Sequence, residues 1–590
     1  MSAERTPLMK PLSSSPQQPS SGAGRYDVMI LGSGIAGTLL ATILARHGVR
    51  TVLVEKGSHP RFAVGESTVP ETTFLFEVLA QRYDVPELGH IRSFHAIRRH
   101  VSSACGIKRC FSYAYHREGE LHRGVESTQF PTWGPPFGPD VHLFRQDVDA
   151  YLLAIAVRYG AAVRQQVDLA SIDLDEGGVR VVTRRGETIT ADFVVDAAGH
   201  ASPLARKLAL REIPCSMKTR SRTIFTHMVN VPPYESRGPD PREHGLPYAF
   251  SQGTLHHVFK GGWFWIIPFD NHVSSTNPLC SVGLSLDLDQ HPSTGMAPEE
   301  EFWSFVRRFP SIERHLGDAR AAREWVGTDR LQYLCSAGAG DRYFLMPHSM
   351  GFVDALFSSG LSLTASVTNG LAHRLIAAVK QGDFRQERFA PVEAWMMKGL
   401  RHHDRLVSAS YTAMSDFTLW NAWHRVWMLG ATFGATGHVE IVARFEIDGD
   451  RAHFARFDEA PHRGTQSVDV PEFMALFDAA EGEIDAYRRG EQDAASAARR
   501  IYGHLEASGL CPGYWHLTDP ATRCPTTFTL LPLARLAAWG YLRGPKSVRK
   551  NFDLRGRVAP LLSALTRDVR GEIGRSAGLV AGLVKDALKS

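Results

Sequence analysis

The sequence predicts an α/β fold: a Rossmann-like βαβ domain, an antiparallel sheet and a mostly helical C-terminal region. Three observations carry this. Asp27-Val28-Met29-Ile30-Leu31 is a short apolar run that enters a glycine turn, an apolar helix and a second apolar run, Val49 to Glu55, the order of a βαβ unit. Residues from about Thr219 to Asp287 tend to alternate with period two, as half-buried strands do. Beyond Gly360 apolar residues recur at helical spacing through most of the remaining chain.

Taken in order, Ser13-Ser14-Ser15-Pro16-Gln17-Gln18-Pro19 and its neighbours make residues 1–25 a polar tail outside the fold, with no apolar core of a signal peptide behind Lys10. A first helix is expected over Ile35 to Arg46 and another over Asp147 to Tyr159. Strands are expected near Val163 to Ile172 and Val179 to Thr183 and at Phe193-Val194-Val195-Asp196. Later helices are expected over Leu361 to Lys380, Pro391 to Leu406 and Ser415 to Leu429. The expected organisation is a core over 26–390, in which about 26–210 and 330–390 enclose a sheet region of about 211–329, followed by a helical region over 391–590.

Composition removes several classes of function. The 590 residues are 43% hydrophobic and 22% charged, an ordinary globular mix. The 66 basic and 62 acidic residues leave a net charge of +4, with no basic run of the kind that tracks nucleic acid. Val28 to Ala45, the most apolar stretch, is broken by Gly32, Gly34 and Gly37 and makes a poor membrane span. The seven cysteines are scattered, never as C-x-x-C, so no disulfide framework or metal site is indicated; a reducing, cytoplasmic setting is the expectation.

Gly32-Ser33-Gly34-Ile35-Ala36-Gly37 fits G-x-G-x-x-G between a strand and a helix, with Glu55 ending the next strand. The first glycine permits the turn, the second admits a pyrophosphate to the backbone, the third lets helix pack on strand, and Glu55 can accept the ribose hydroxyls. These features define a dinucleotide site. Only one such fingerprint occurs.

The segments Ser58-His59-Pro60-Arg61-Phe62 and Gly65-Glu66-Ser67-Thr68-Val69-Pro70 resemble the flavin-wrapping stretch of FAD-dependent halogenases and related aromatic monooxygenases. Gly262-Trp263-Phe264-Trp265-Ile266-Ile267-Pro268 matches the G-W-x-W-x-I-P signature of flavin-dependent halogenases, and Gly351-Phe352-Val353-Asp354-Ala355-Leu356-Phe357-Ser358-Ser359-Gly360 is similar to that family's G-F-x-D-P-x-F-S-S-G element. Gly106 to Tyr113 resembles its lysine-bearing strand. The likeness runs from about Tyr26 to Phe552, and Gly253 to His257, Ser275-Thr276-Asn277 and Ser415-Asp416-Phe417 resemble the branch that chlorinates a phenylpyrrole in pyrrolnitrin biosynthesis.

The resemblance implies FAD, used reduced, with dioxygen and chloride. Lys56, Arg61, Glu66, Ser67, Arg145, Val167 and Asp354 join the fingerprint and Glu55 as cofactor-binding candidates, and Ser359 and Gly360 are the halide candidates, at a helix start whose N–H groups favour an anion. Trp263 and Trp265, two apart on one strand face, would keep an organic substrate off the flavin and leave halide as the nucleophile. Lys108 is the catalytic candidate, receiving hypohalous acid near a distant substrate site; from spacing alone, Lys108-Arg109 would read as a solvated basic pair. Arg145 could neutralise phosphate or pair with Asp149, four residues on.

Three departures from the family pattern stand out: Ala355 replaces a proline, Pro347-His348 replaces a Gly-Asp pair that contacts the ribityl chain, and Phe357 stands where tryptophan halogenases carry glutamate. The last argues against tryptophan as substrate. The expectation is chlorination of an electron-rich aromatic, a phenylpyrrole or a related pyrrole or phenol, with reduced flavin from a separate reductase. A flavin-dependent aromatic hydroxylase of the same fold and a catalytically silent flavoprotein are the alternatives.

Overall fold

The computed structural model describes residues 24–134, 137–458 and 466–552; most of the expected tail and the last part of the expected helical region lie outside these. The first sheet is built on Tyr26–Leu31, whose apolar run is buried on both faces, as a central parallel strand requires. It lies between Thr51–Val54 and Thr188–Asp196, both parallel to it; Ala162–Arg164 and Tyr343–Leu345 extend the sheet on either side. The hairpin Leu169–Asp175 and Gly178–Thr183 is added antiparallel along Thr188–Asp196. The expected single strand over Val163 to Ile172 is two strands, and Val167 lies in the gap between them.

The second sheet has the core order Ser221–Val229, Cys280–Asp287, Gly262–Pro268, Thr254–Phe259, Cys110–Tyr115, Ser127–Pro131. Two of its strands come from outside the 211–329 stretch, and one pairing, Thr254–Phe259 with Cys110–Tyr115, is parallel. Gly253 makes this junction possible, because a Cβ there would overlap the carbonyl of Cys110. Just before it, Gly106–Lys108 pairs antiparallel with Asp140–His142, which places Lys108 opposite Asp140.

The helices fall close to expectation: Ile35–Arg46, Arg145–Arg158, Gly360–Gln381 and Ala390–Ala413. Phe417–Asp448 is longer than its periodicity suggested. It runs through Gly430 and Gly434 because these are close-approach positions, Gly430 against Phe473 and Gly434 against the buried Glu71 carboxyl, and it stops at Gly449, which has φ +70°. No helix among the described residues is long and apolar enough to cross a membrane.

Trp265 lies opposite Gly283 on the neighbouring strand, and its ring fills the space a side chain would take. Gly283→Ala therefore forces the ring out of place. The expected cost is about 1–3 kcal/mol, in the range of core overpacking, read as a lower urea midpoint at unchanged slope.

Candidate active site

A cavity of about 690 Å³ lies between the two sheets. On one side it is walled by the glycine turn, Glu55, Arg61 and the 64–67 segment, on the other by Thr223, Phe225, Trp263 and Trp265. The three fingerprint glycines differ physically. Gly32 has φ +97° and a Cβ there would sit 2.6 Å from the Ala197 carbonyl; at Gly37 a Cβ would overlap the Gly32 carbonyl. Gly34 faces open space, its nearest neighbour being Arg61 Nη2 at 3.9 Å. The first and third are needed to fold the turn, and the second leaves the helix start open to a ligand.

Glu55 is buried, and burial alone would raise its pKa. Amide hydrogen bonds from Ser33 (2.9 Å) and Gly57 (2.7 Å), with the Arg61 guanidinium, outweigh this and hold it below the usual carboxylate range. It stays an anion with acceptor sites left for ribose hydroxyls. Ser33 itself is buried away from the cavity, its hydroxyl also donated to Glu55. Gly37 likewise serves packing. Ile35, Ala36, Lys56 and Val167 line the cavity, and the Val167 amide donates to the Glu55 carbonyl at 3.0 Å.

Arg145 lines the cavity too, but Asp149 holds it by two hydrogen bonds of 2.7 and 2.9 Å, and it also donates to the carbonyls of Val64 and Gly65. It braces the 64–65 turn. Glu66 accepts from His227 at 2.6 Å, and Arg323 donates to the other ring nitrogen of that histidine. Asp354, expected at the cofactor, lines the cavity with its carboxylate already engaged by Ser221 Oγ (2.8 Å), Tyr411 OH (3.0 Å) and the Leu356 amide (3.0 Å). Its carboxylate ties protein elements together. The Ser359 hydroxyl turns towards His403 into a small side cavity; Ser358, with φ +53°, and Gly360 reach the main one. His348, at the departure from the Gly-Asp pattern, lines the main cavity, and burial, then Arg145, lower its pKa to about 4.

Trp263 and Trp265 line the wall with ring centroids 5.6 Å apart, their indole N–H groups donated to Tyr411 OH and Ser281 Oγ. Lys108 lies off the cavity and is 0% exposed. Its amine donates to Ser67 Oγ at 2.6 Å and the Thr68 carbonyl at 2.7 Å, and lies 3.3 Å from the Phe111 ring centre. It has no salt-bridge partner among the described residues. Burial lowers its pKa and Asp140 partly offsets this; the same burial raises Asp140.

Around this amine stands an aromatic cluster: Phe111 against Trp427 (5.2 Å), Trp427 stacked on Phe357 (4.6 Å) and against Phe130 (5.4 Å), and Phe130 against Phe528 (5.8 Å). Sequence reasoning missed Trp427, Phe528, His142, Thr254 and Asp140, because pairings between distant stretches bring them together. It also passed over Asp196, which ends a strand as an acid before Ala197-Ala198-Gly199 and accepts from the Ala198 and Leu204 amides, fixing that turn at the cavity edge.

The fold, the fingerprint and the cavity define a flavoprotein oxidoreductase. A family model described as FAD dependent oxidoreductase matches residues 27–348. The chain is 42% identical over 550 residues to the monodechloroaminopyrrolnitrin halogenase PrnC of Pseudomonas fluorescens, covering 92% of this chain and 96% of that protein. It is 41% identical to the tetracycline 7-halogenase of Kitasatospora aureofaciens, over 87% of this chain and 92% of that one. A crystal structure of halogenase PltM in complex with phloroglucinol and FAD superposes with a TM-score of 0.81 at 36% identity, over 85% of this chain and 99% of the other. The chain belongs to the flavin-dependent halogenases, which use FAD and chloride.

The residues present fit FAD: an open helix N-terminus at Gly34, a partnered but still accepting Glu55, and a cavity between the sheets. Gly34→Val should fold, since a Cβ there meets only the end of the Arg61 side chain, at 3.9 Å, yet weaken FAD binding at least tenfold in a fluorescence titration. Unchanged binding would remove the fingerprint from the site.

Proposed function

We propose that this chain chlorinates an electron-rich aromatic ring, a phenylpyrrole or a related pyrrole or phenol in secondary metabolism, with Lys108 passing on the chlorine. The observation that carries this is a fully buried lysine amine, without a salt-bridge partner among the described residues, set against Phe111 and an aromatic cluster one serine away from the cofactor cavity. Burial lowers the amine's basicity and so makes its lone pair available. The relatives' names support an aromatic ring: monodechloroaminopyrrolnitrin, tetracycline, and phloroglucinol bound to a related halogenase.

Reduced FAD with dioxygen supplies the oxidising equivalent that turns chloride into hypochlorous acid. Gly32, Gly34 and Glu55 hold the dinucleotide, and Arg145 and Glu66 fix the segment that covers it. The N–H groups at Gly360 favour chloride, with Ser359 behind them. Trp263 and Trp265 bar an aromatic substrate from the cofactor cavity, so the oxidant passes to Lys108 and the ring is held at the lysine. Phe357 stacks on Trp427 where a charged group would otherwise reach the substrate, which suits a ring without an amino-acid backbone. With a single dinucleotide fingerprint in the chain, a separate reductase supplies reduced flavin.

The test is product mass spectrometry with FAD, a flavin reductase, NADH, dioxygen, chloride and a panel of phenylpyrroles, pyrroles and phenols. A gain of chlorine is expected, falling by about 10²-fold or more in Lys108→Ala, the scale of a lost positioned catalytic group. Retained chlorination in that variant removes Lys108 from the mechanism, and a gain of oxygen makes the enzyme a hydroxylase. Because the neutral amine reacts, the rate should rise with pH through the Lys108 titration, which burial moves below the usual lysine range, and be lost as pH falls through it.

A further inference from the structure

The amine of Lys108 is the first link of a hydrogen-bonded chain whose direction is fixed at its far end. His142 Nδ1 lies 2.9 Å from the Pro268 carbonyl, which can only accept, so Nδ1 carries the proton and Nε2 presents a lone pair. Nε2 lies 3.0 Å from Thr254 Oγ1, which must therefore donate to it. Thr254 Oγ1 then accepts from Ser67 Oγ, 2.9 Å away, and Ser67 Oγ accepts from Lys108 Nζ at 2.6 Å. Every link points away from the lysine. All four side chains are buried, and only Ser67 and Thr254 reach the cofactor cavity.

From this geometry we infer that Ser67, Thr254 and His142 form a proton relay that strips Lys108 of its ammonium proton when chlorine arrives, with His142 as the acceptor. The inference rests on the proposed role of Lys108. The ammonium gives a proton to Ser67 Oγ, the Ser67 hydroxyl proton moves to Thr254 Oγ1, and the Thr254 hydroxyl proton moves to His142 Nε2, which leaves a neutral amine and an imidazolium. The amine lone pair then attacks the chlorine of hypochlorous acid. An N–Cl bond forms, the O–Cl bond breaks with its electron pair on oxygen, and that hydroxide takes an amine proton to leave as water. When the aromatic ring attacks the chlorine, the N–Cl pair returns to nitrogen, the ring proton follows it, and the relay can run backwards.

The surroundings suit a transient acceptor. Burial, and next the charge on Lys108, lower His142 to about 3, so it rests neutral; the lysine's charge is gone once the proton has left, but burial remains, so His142 holds the proton only briefly and uphill. Cys110, pushed up by burial to about 12, and His256, pushed down by burial to about 3, stay uncharged beside the path. Among the described residues, Asp140 is the charged group that acts most strongly on Lys108, with Arg109 and Glu235 further out around Cys110. Asp140 faces Lys108 across the strand pair, accepts from Thr73 at 2.9 Å through one oxygen, and has no hydrogen-bond partner among the described residues on the other. It competes with His142 for the proton, although it shares no hydrogen bond with the amine.

The test is the single-turnover chlorination rate against pH, in H2O and D2O, for His142→Gln, Thr254→Val, Thr254→Ser, Asp140→Asn and Lys108→Ala, with FAD titration reporting folding. Glutamine can accept from Thr254 and donate to Pro268, keeping both hydrogen bonds, but cannot hold a proton. His142→Gln and Thr254→Val should lose about tenfold or more where Lys108 is protonated and recover at high pH, where the relay is not needed. Thr254→Ser should restore most of the loss of Thr254→Val, and the wild-type solvent isotope effect should shrink in His142→Gln. Equal loss at every pH gives His142 a structural part only and overturns the relay. A pH-dependent loss confined to Asp140→Asn overturns it in favour of that carboxylate. Should Lys108→Ala keep its chlorination, the reading of the lysine fails instead, and the relay with it.

Discussion

One buried carboxylate, Asp354, holds the two halves of this molecule in register. It accepts from Ser221 on an outer strand of the second sheet, from Tyr411 on the Ala390–Ala413 helix, and from the Leu356 amide in the loop that starts the Gly360–Gln381 helix. Tyr411 in turn accepts from Trp263 and lies 2.9 Å from Ser285 Oγ, and Gln332 donates to both Ser221 and the Val353 carbonyl. Burial raises the Asp354 carboxyl, and these hydrogen bonds work against that shift. Buried polar networks of this kind are costly unless satisfied and specific when they are. Here the network fixes the Trp263 wall, the 354–360 loop and the helical region against one another, and the cavity between the sheets is the space it leaves.

That arrangement separates two environments. The cofactor cavity is polar at the glycine turn and aromatic at the tryptophan wall; the lysine environment beyond it is aromatic, with uncharged hydrogen-bond partners for the amine. On the proposed mechanism, a small oxidant formed in the first would be used in the second without the ring ever entering the first. Ser67 belongs to both, as a cavity-lining residue and as the acceptor for Lys108. The segment it sits on is braced by Arg145 through the Val64 and Gly65 carbonyls. A residue expected either to neutralise phosphate or to pair with Asp149 makes that pair and fixes the lysine's neighbour.

Much of this was legible in the sequence where the signal is local. The βαβ order, the glycine spacing and most helix positions follow from periodicity and turn chemistry within a few residues of one another. The lysine-bearing strand, the tryptophan pair and the 351–360 element could be picked out through family resemblance, since spacing alone would have left Lys108 as a solvated basic pair. What stayed hidden depends on contacts between distant stretches. The entry of Cys110–Tyr115 into the second sheet cannot be seen from alternation, because its partner Thr254–Phe259 lies more than a hundred residues on. The engagement of Asp354 by Tyr411 and the turning of Ser359 towards His403 are side-chain choices that no local pattern specifies. Phe417–Asp448 outran the expected Ser415 to Leu429, running on through Gly430 and Gly434, which are places where neighbours come close.

If the ring is held at Lys108 as proposed, the aromatic cluster is where the substrate could change while the chemistry is kept. Its members come from separate stretches: Phe111 and Phe130 from neighbouring strands, Phe357 from the loop after Asp354, Trp427 from a long helix, and Phe528 from the C-terminal region, where Trp133 stacks on it at 5.7 Å. None of these five lines the cofactor cavity. A substitution at Trp427 or Phe528 can therefore change the packing around Phe111 and Phe130 without touching the glycine turn, Glu55 or the tryptophan wall. Apolar walls discriminate between rings of similar size only weakly, whereas a site that hydrogen-bonds its substrate discriminates strongly. On the proposed reading, a lysine set among aromatic rings, with Phe357 in place of an acid, would suit selection by ring shape and electron density more than by a fixed polar handle.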